Sequence, residues 1–132
     1  MIFVDTSAWF AIFVESDRHA QAVSAWLDKN VDRRLVTTDY VIDELLTLMR
    51  ARNEPERALR AGEELISGDL VTIEYVRETD FHRAWEVFQK FKDKNWSFTD
   101  CASRVVMARI GADSALAFDE HFAQFGTVAV VP

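Results

Sequence analysis

Four acidic residues stand where a carboxylate can do chemistry. Asp5 follows the apolar run Ile2–Val4 in "MIFVDTSAW", and Asp119 follows "SALAF" in "SALAFDEHF". Glu44 lies inside "DYVIDELLTLM", and Asp100 inside "SFTDCAS". Carboxylates brought within a few ångströms repel one another, and at least one has its pKa raised. A divalent cation removes that penalty. An oxygen-only ligand set suits Mg²⁺, with Mn²⁺ able to substitute, and not zinc. Cys101 and the three histidines show no zinc-ligand spacing. A hard cation next to a phosphate neutralises charge and generates hydroxide, so the reaction class this set suggests is phosphodiester hydrolysis.

Each acid also has a plain structural reading. Asp5 and the hydroxyls of Thr6 and Ser7 could simply start a helix. They could equally present a carboxylate at the carboxyl end of a core strand, where α/β proteins build sites. Glu44 stacks with Val41 and Leu48 on an apolar helical stripe, and a glutamate on a buried side needs a partner or a metal. A rim acid bonded to an arginine fits that position as well. Asp100, taken alone, reads as a first-turn acid favoured by the helix dipole. Thr99 and Ser103 flank it with hydroxyls that could orient a carboxylate or a water. His121 could touch substrate, though a surface or core place suits it better.

Elements must position these acids. Residues 2–4 form a short buried strand, and a helix opens at Thr6 or Ser7. Val23, Trp26 and Leu27 mark a helix over 18–30, and Leu35 with Val36 a second strand. A strong helix covers 39–52, followed by one that starts near Pro55 and ends near Gly68. Residues 70–76 are β-branched and strand-like. Residues 78–94 are helical, with Phe81, Trp85 and Phe88 expected to face inward. Ser97 opens a helix that Gly111 stops. "SALAF" is a short strand, 119–125 a helical turn, and "TVAVV" the last strand. Strands alternating with helices predict a parallel sheet covered on both faces.

The chain has 132 residues, which suits one domain, and 49% are hydrophobic, enough for a core without staples. One cysteine permits no internal disulfide, which fits a reducing compartment. No apolar run approaches a membrane span, and no basic segment leads into a long apolar core at the N-terminus. A cytoplasmic protein with no membrane partner is expected. The formal net charge of −7 argues against binding nucleic acid by overall basicity. Local basic clusters remain, namely Arg50, Arg52, Arg57 and Arg60, and Lys90, Lys92 and Lys94. Both read most simply as solvated helix surface.

"FVDTSAW", "TTDYVIDELLTLM" and "SFTDCASRVVMARIGADSALAFDEHF" together resemble a PIN-domain ribonuclease, most closely a VapC-type toxin. The resemblance covers nearly the whole chain. It implies a three-layer α/β/α sandwich around a mainly parallel sheet, with residues 1–132 as a single PIN domain. It maps the family's acidic quartet onto Asp5, Glu44, Asp100 and Asp119. Asp5 and Asp100 would be the main Mg²⁺ ligands, with Glu44 and Asp119 completing the pocket and Thr6 and Thr99 supporting it. It implies RNA as substrate, a homodimer, and a small antitoxin that covers the pocket with a basic side chain. One departure is visible: many relatives carry threonine two residues before the fourth acid, where this chain has Ala117.

Three rivals are distinguishable. A phosphatase using Asp5 as nucleophile usually needs a second acid two residues on, and that position is Ser7. A non-catalytic binding module usually has eroded acids, and all four are present. A housekeeping PIN ribonuclease without an antitoxin differs from the toxin only in its partner.

Overall fold

The computed structural model describes residues 1–132. The first strand, β1, spans Ile2–Val4, and α1 follows at Thr6–Phe13. Next come α2 (Ala20–Lys29), β2 (Leu35–Thr38), α3 (Asp39–Ala51) and α4 (Pro55–Gly62). The chain continues through β3 (Thr72–Glu74), α5 (Glu78–Lys90) and α6 (Phe98–Ile110). It ends with β4 (Ser114–Leu116), α7 (Glu120–Gln124) and β5 (Ala129–Val131).

The strands form one sheet in the order β3-β2-β1-β4-β5, and every adjacent pair is parallel. Successive side chains of a strand point to opposite faces. Ile2, Phe3 and Val4 are all buried, so helices cover both faces of the centre. This is the expected three-layer sandwich. No helix is long and apolar enough to cross a membrane.

The topology decides where the site lies. From β1 the chain moves to β2 on one side, and it later returns to place β4 on the other. That switch opens a crevice at the carboxyl end of β1 and β4. The register sets Val4 beside Leu116, and the Asp5 amide donates to the Leu116 carbonyl at 3.1 Å. Thr37, at the end of β2, donates its hydroxyl to the Val4 carbonyl at 2.9 Å and accepts from the Trp9 indole at 3.2 Å. The edge that presents Asp5 is therefore braced from both neighbouring strands.

Several sequence expectations need correction. Phe81, Trp85 and Phe88 do not face inward: they are 44%, 49% and 41% exposed. The side of α5 that meets α6 carries Asp80 and Ala84, both buried. Two stripes run along α5, and the one with small side chains and an internal ion pair was the one buried. Asp80, 1% exposed, takes the Arg109 guanidinium at 2.8 to 3.1 Å, and Arg109 also reaches Glu74 at 2.7 Å. The helix expected from Pro55 to near Gly68 is α-helical only to Gly62, then widens into a π turn over Glu63–Ser67. The third strand is three residues long, not seven, because only Thr72–Glu74 pair with β2.

Candidate active site

All four predicted acids come to the carboxyl edge of the sheet, two as helix N-caps, one in a capping box and one from the face of a helix. Asp5 is the N-cap of α1; its Oδ2 accepts the Ser7 hydroxyl at 3.0 Å and the Ser7 amide at 3.4 Å. The same Ser7 hydroxyl accepts the Phe118 amide at 3.0 Å, so one serine ties the end of β1 to the segment after β4. Asp100 closes a capping box at the start of α6. Its Oδ2 accepts the Ser97 amide at 3.0 Å while its own amide donates to the Ser97 hydroxyl at 3.0 Å. Asp119 is the N-cap of α7, and its Oδ1 accepts the His121 amide at 2.9 Å. Glu44 projects from α3, which Thr38 caps through the Val41 amide at 3.1 Å. Its Oε1 accepts the Thr6 hydroxyl at 2.7 Å.

A common pattern emerges. In each acid one oxygen carries the hydrogen bonds, and the other carries none within normal geometry. None of those free oxygens is sealed from solvent. The capping and ligand readings of Asp5, Asp100 and Asp119 therefore coexist, because a carboxylate has two oxygens. His121, which the sequence left as a surface or core residue, sits among them. Its Nδ1 lies 2.8 Å from Asp100 Oδ2 and 3.3 Å from Asp119 Oδ1. Two carboxylate partners assign the proton to that nitrogen.

The electrostatics show that the acids sense one another. Burial, and then the negative charge of Asp100, push the Asp5 carboxyl up to about 7. Glu44 is raised by burial and by the charges of Asp100 and Asp119, against the Thr6 hydroxyl and, more weakly, that of Thr99. Asp100 is raised by burial and by Asp119, although the Ser97 amide and His121 pull it down. For His121, burial works downward, but the bond to Asp100 and the charges of Asp119 and Asp100 outweigh it, so its pKa rises.

No three of the chain's His, Cys, Asp and Glu side chains stand close enough together to grip an ion directly. The donor chemistry nonetheless fits a hard divalent cation. Four carboxylates, each with one free oxygen, gather at one edge of the sheet, where burial, and after it their mutual charge, raises three of their pKa values. Ser103 lies one helical turn beyond Asp100 on the same face. Its hydroxyl is buried and makes no hydrogen bond, so it does not hold a carboxylate as the sequence suggested. Ala117 is buried beside the site. Cys101 next to Asp100 is inert: burial and the Asp100 charge push its thiol up to about 11.

Residues 2–128 match the PIN domain. The chain belongs to the PIN-domain family. Among its relatives is the 23S rRNA-specific endonuclease VapC20 of Mycobacterium tuberculosis, 35% identical over 133 aligned residues that span 100% of this chain and 99% of the relative. A VapC ribonuclease of Archaeoglobus fulgidus is 26% identical over 90% of this PIN chain and 77% of its own length. The crystal structure of VapC20, described as a sarcin–ricin loop cleaving toxin, superposes with a TM-score of 0.90 at 30% identity and covers both chains completely. FitAcB from Neisseria gonorrhoeae shares the fold at a TM-score of 0.71 and 16% identity, over 100% of this chain and 97% of that one. The PIN fold expected from the sequence is the fold observed.

Proposed function

We propose that this PIN protein is a metal-dependent endoribonuclease, the toxin of a toxin–antitoxin pair, acting on a structured loop of 23S ribosomal RNA. The observation that carries this reading is the set of four acids at the switch point, each with one oxygen anchored and one free. The full-length relationship to VapC20 supports the RNA target.

Asp5 and Asp100 would hold the cation, with Glu44 and Asp119 completing the pocket, and Mg²⁺ is the ion the oxygen-only set favours. When bound, such an ion neutralises charge on the phosphate and lowers the pKa of a coordinated water. The protein's share is to orient and to manage protons. Ser7 fixes the Asp5 carboxylate against rotation, and Thr6 does the same for Glu44. Asp100 is held by the capping box of α6, so its direction is set by a helix. His121 Nδ1 holds a proton between Asp100 and Asp119 and partly offsets their repulsion.

An acidic pocket attracts a guanidinium as readily as a metal, which supports inhibition by a small antitoxin carrying a basic side chain. The exposed aromatic face of α5 supports a homodimer, since large exposed apolar groups usually mark a protein contact.

The test is incubation of purified protein with ribosomes in Mg²⁺ or Mn²⁺, with cuts in 23S rRNA mapped by primer extension. A discrete cut by wild type that Asp100→Asn abolishes is the expected result. No cut by wild type, or an equal cut by the variant, overturns the reading.

A further inference from the structure

A cleft of about 850 Å³ opens beside the acids and shares Ser7 and Asp119 with them. Its volume falls within the range of small-ligand sites, roughly 300–1,000 Å³. Its lining also includes Arg18, His19 and Arg52, residues that play no part in holding the four acids.

We propose that this cleft seats the nucleotide next to the scissile phosphate, with Arg18 and Arg52 on its phosphate and the His19–Phe118 stack under its base. The proposal rests on the ribonuclease reading and adds the residues that grip the substrate. Neither arginine forms a salt bridge, as is also true of Arg33, Arg34, Arg50, Arg83 and Arg104; what sets Arg18 and Arg52 apart is that both line the cleft that Ser7 and Asp119 share. Arg52 lies over the Phe10 ring at 5.6 Å, which holds the guanidinium without neutralising it. The turn after it is fixed by Asn53 in the left-handed region at φ 58°. Arg18 Nε donates to His19 Nε2 at 3.1 Å, leaving its terminal nitrogens for another partner.

The cleft also carries four acids, Asp17, Glu54, Asp119 and Glu120, so a phosphate must compete with them for the two guanidiniums. Asp17 accepts the His19 amide at 3.0 Å, and Glu54 holds Arg57 at 2.6 Å. Asp119 belongs to the four acids of the catalytic edge, and Glu120 follows it in the chain. The rings of His19 and Phe118 lie 4.2 Å apart and only 6° from parallel, and both remain partly exposed. Free guanidiniums take phosphate oxygens by paired hydrogen bonds, and a flat exposed stack takes an unpaired base. Two unpaired guanidiniums and a flat ring stack lining one cleft match the phosphate and base of a nucleotide better than a peptide.

The experiment compares wild type with Arg18→Gln/Arg52→Gln, Arg18→Lys/Arg52→Lys and His19→Ala. All three altered positions are at least partly exposed, and melting curves verify folding. Binding of a fluorescent RNA hairpin with single-stranded flanks is titrated against salt, in an Asp100→Asn background so that no cutting intervenes. The double Gln variant should lower the slope of log K against log salt by about 1.4, roughly 0.7 for each lost contact to a single strand. In the cleaving chain it should raise KM about tenfold or more with kcat changed less than twofold. The double Lys variant should restore the slope, and His19→Ala should weaken binding with the slope intact. An unchanged slope and KM in the double Gln variant overturn the proposal, as does loss of antitoxin binding with RNA binding intact. A wild type that binds RNA with the expected slope but never cuts it would leave this subsite standing and bring down the ribonuclease reading instead.

Discussion

Replacing Asp5 by Asn should stabilise the chain, and the structure says by how much and at which pH. The Asp5 carboxyl, ordinarily near 3.8, is pushed up to about 7 by burial and by Asp100. A folded-state pKa above the unfolded value means that the folded chain keeps the proton longer. Stability therefore falls as pH rises from about 4 to about 7 and levels off beyond. A displacement of about three decades corresponds to about 4 kcal/mol at pH 8. Asp5 is only 3% exposed, so solvent screening takes little from that figure. Asn keeps an oxygen for the Ser7 hydroxyl and amide and carries no charge. At about 3 °C per kcal/mol for a chain of this length, Asp5→Asn should melt about 12 °C above wild type at pH 8. The gap should close below pH 4, where the wild-type carboxyl is protonated too. Thermal melts in a chelating buffer from pH 4 to 8 measure this directly. Parallel pH profiles for the two chains, or a less stable variant at pH 8, would refute the account of a repulsive, desolvated cluster.

Three further outcomes follow from the same geometry. Millimolar Mn²⁺ or Mg²⁺ should raise the wild-type melting temperature at pH 8, because the ion binds only the folded set, and Asp100→Asn should lose most of that rise; equal shifts in both chains would place the ion elsewhere. Arg109→Leu should cost about 3 kcal/mol in urea unfolding, since it leaves Asp80 buried and charged, while a loss under 1 kcal/mol would show that water reaches the pair. The proposed homodimer should be seen in light scattering of wild type at micromolar concentration and should fall to a monomer in Trp85→Glu with Phe88→Glu; a monomeric wild type refutes the dimer, and a variant that stays dimeric moves the contact off α5.

The elements of the fold were legible because their signals were local, whereas the four acids were each ambiguous locally and were grouped only by the resemblance to PIN-domain ribonucleases. Asp5 and Asp119 each follow an apolar run, Asp100 follows a capping serine, and Glu44 stands on an apolar stripe. What stayed hidden depended on distant pairings. Nothing near Phe81, Trp85 and Phe88 shows that α5 turns Asp80 inward, because the reason is Arg109, 29 residues away in sequence. His121 is unremarkable beside Asp119 until α6 brings Asp100 to its ring. Ser103 has the spacing of a supporting hydroxyl, yet its oxygen meets no partner. Arg52 was visible only as part of a basic cluster, and its place in the cleft depends on the turn at Asn53 and on the segment after β4.

The arrangement of hydrogen bonds also explains how such a pocket tolerates its own charge. Four carboxylates at one edge would splay apart if each were free to rotate. Here Ser7, Thr6, the Ser97 amide and the His121 amide each pin one oxygen. Hydrogen bonds to the charged form lower a pKa, so these pins work against the rise that burial causes. For Asp5, Glu44 and Asp100 they do not fully cancel it. The burial cost and the smaller repulsion left over are relieved by whatever positive group enters, whether a divalent ion or a guanidinium. The two should therefore compete. A basic antitoxin side chain in this pocket would lower the apparent affinity for Mn²⁺, and saturating Mn²⁺ would weaken the antitoxin by the same factor. Calorimetric titration of the complex with Mn²⁺ reads that factor, and independent binding of the two would mean that the inhibitor acts away from the four acids.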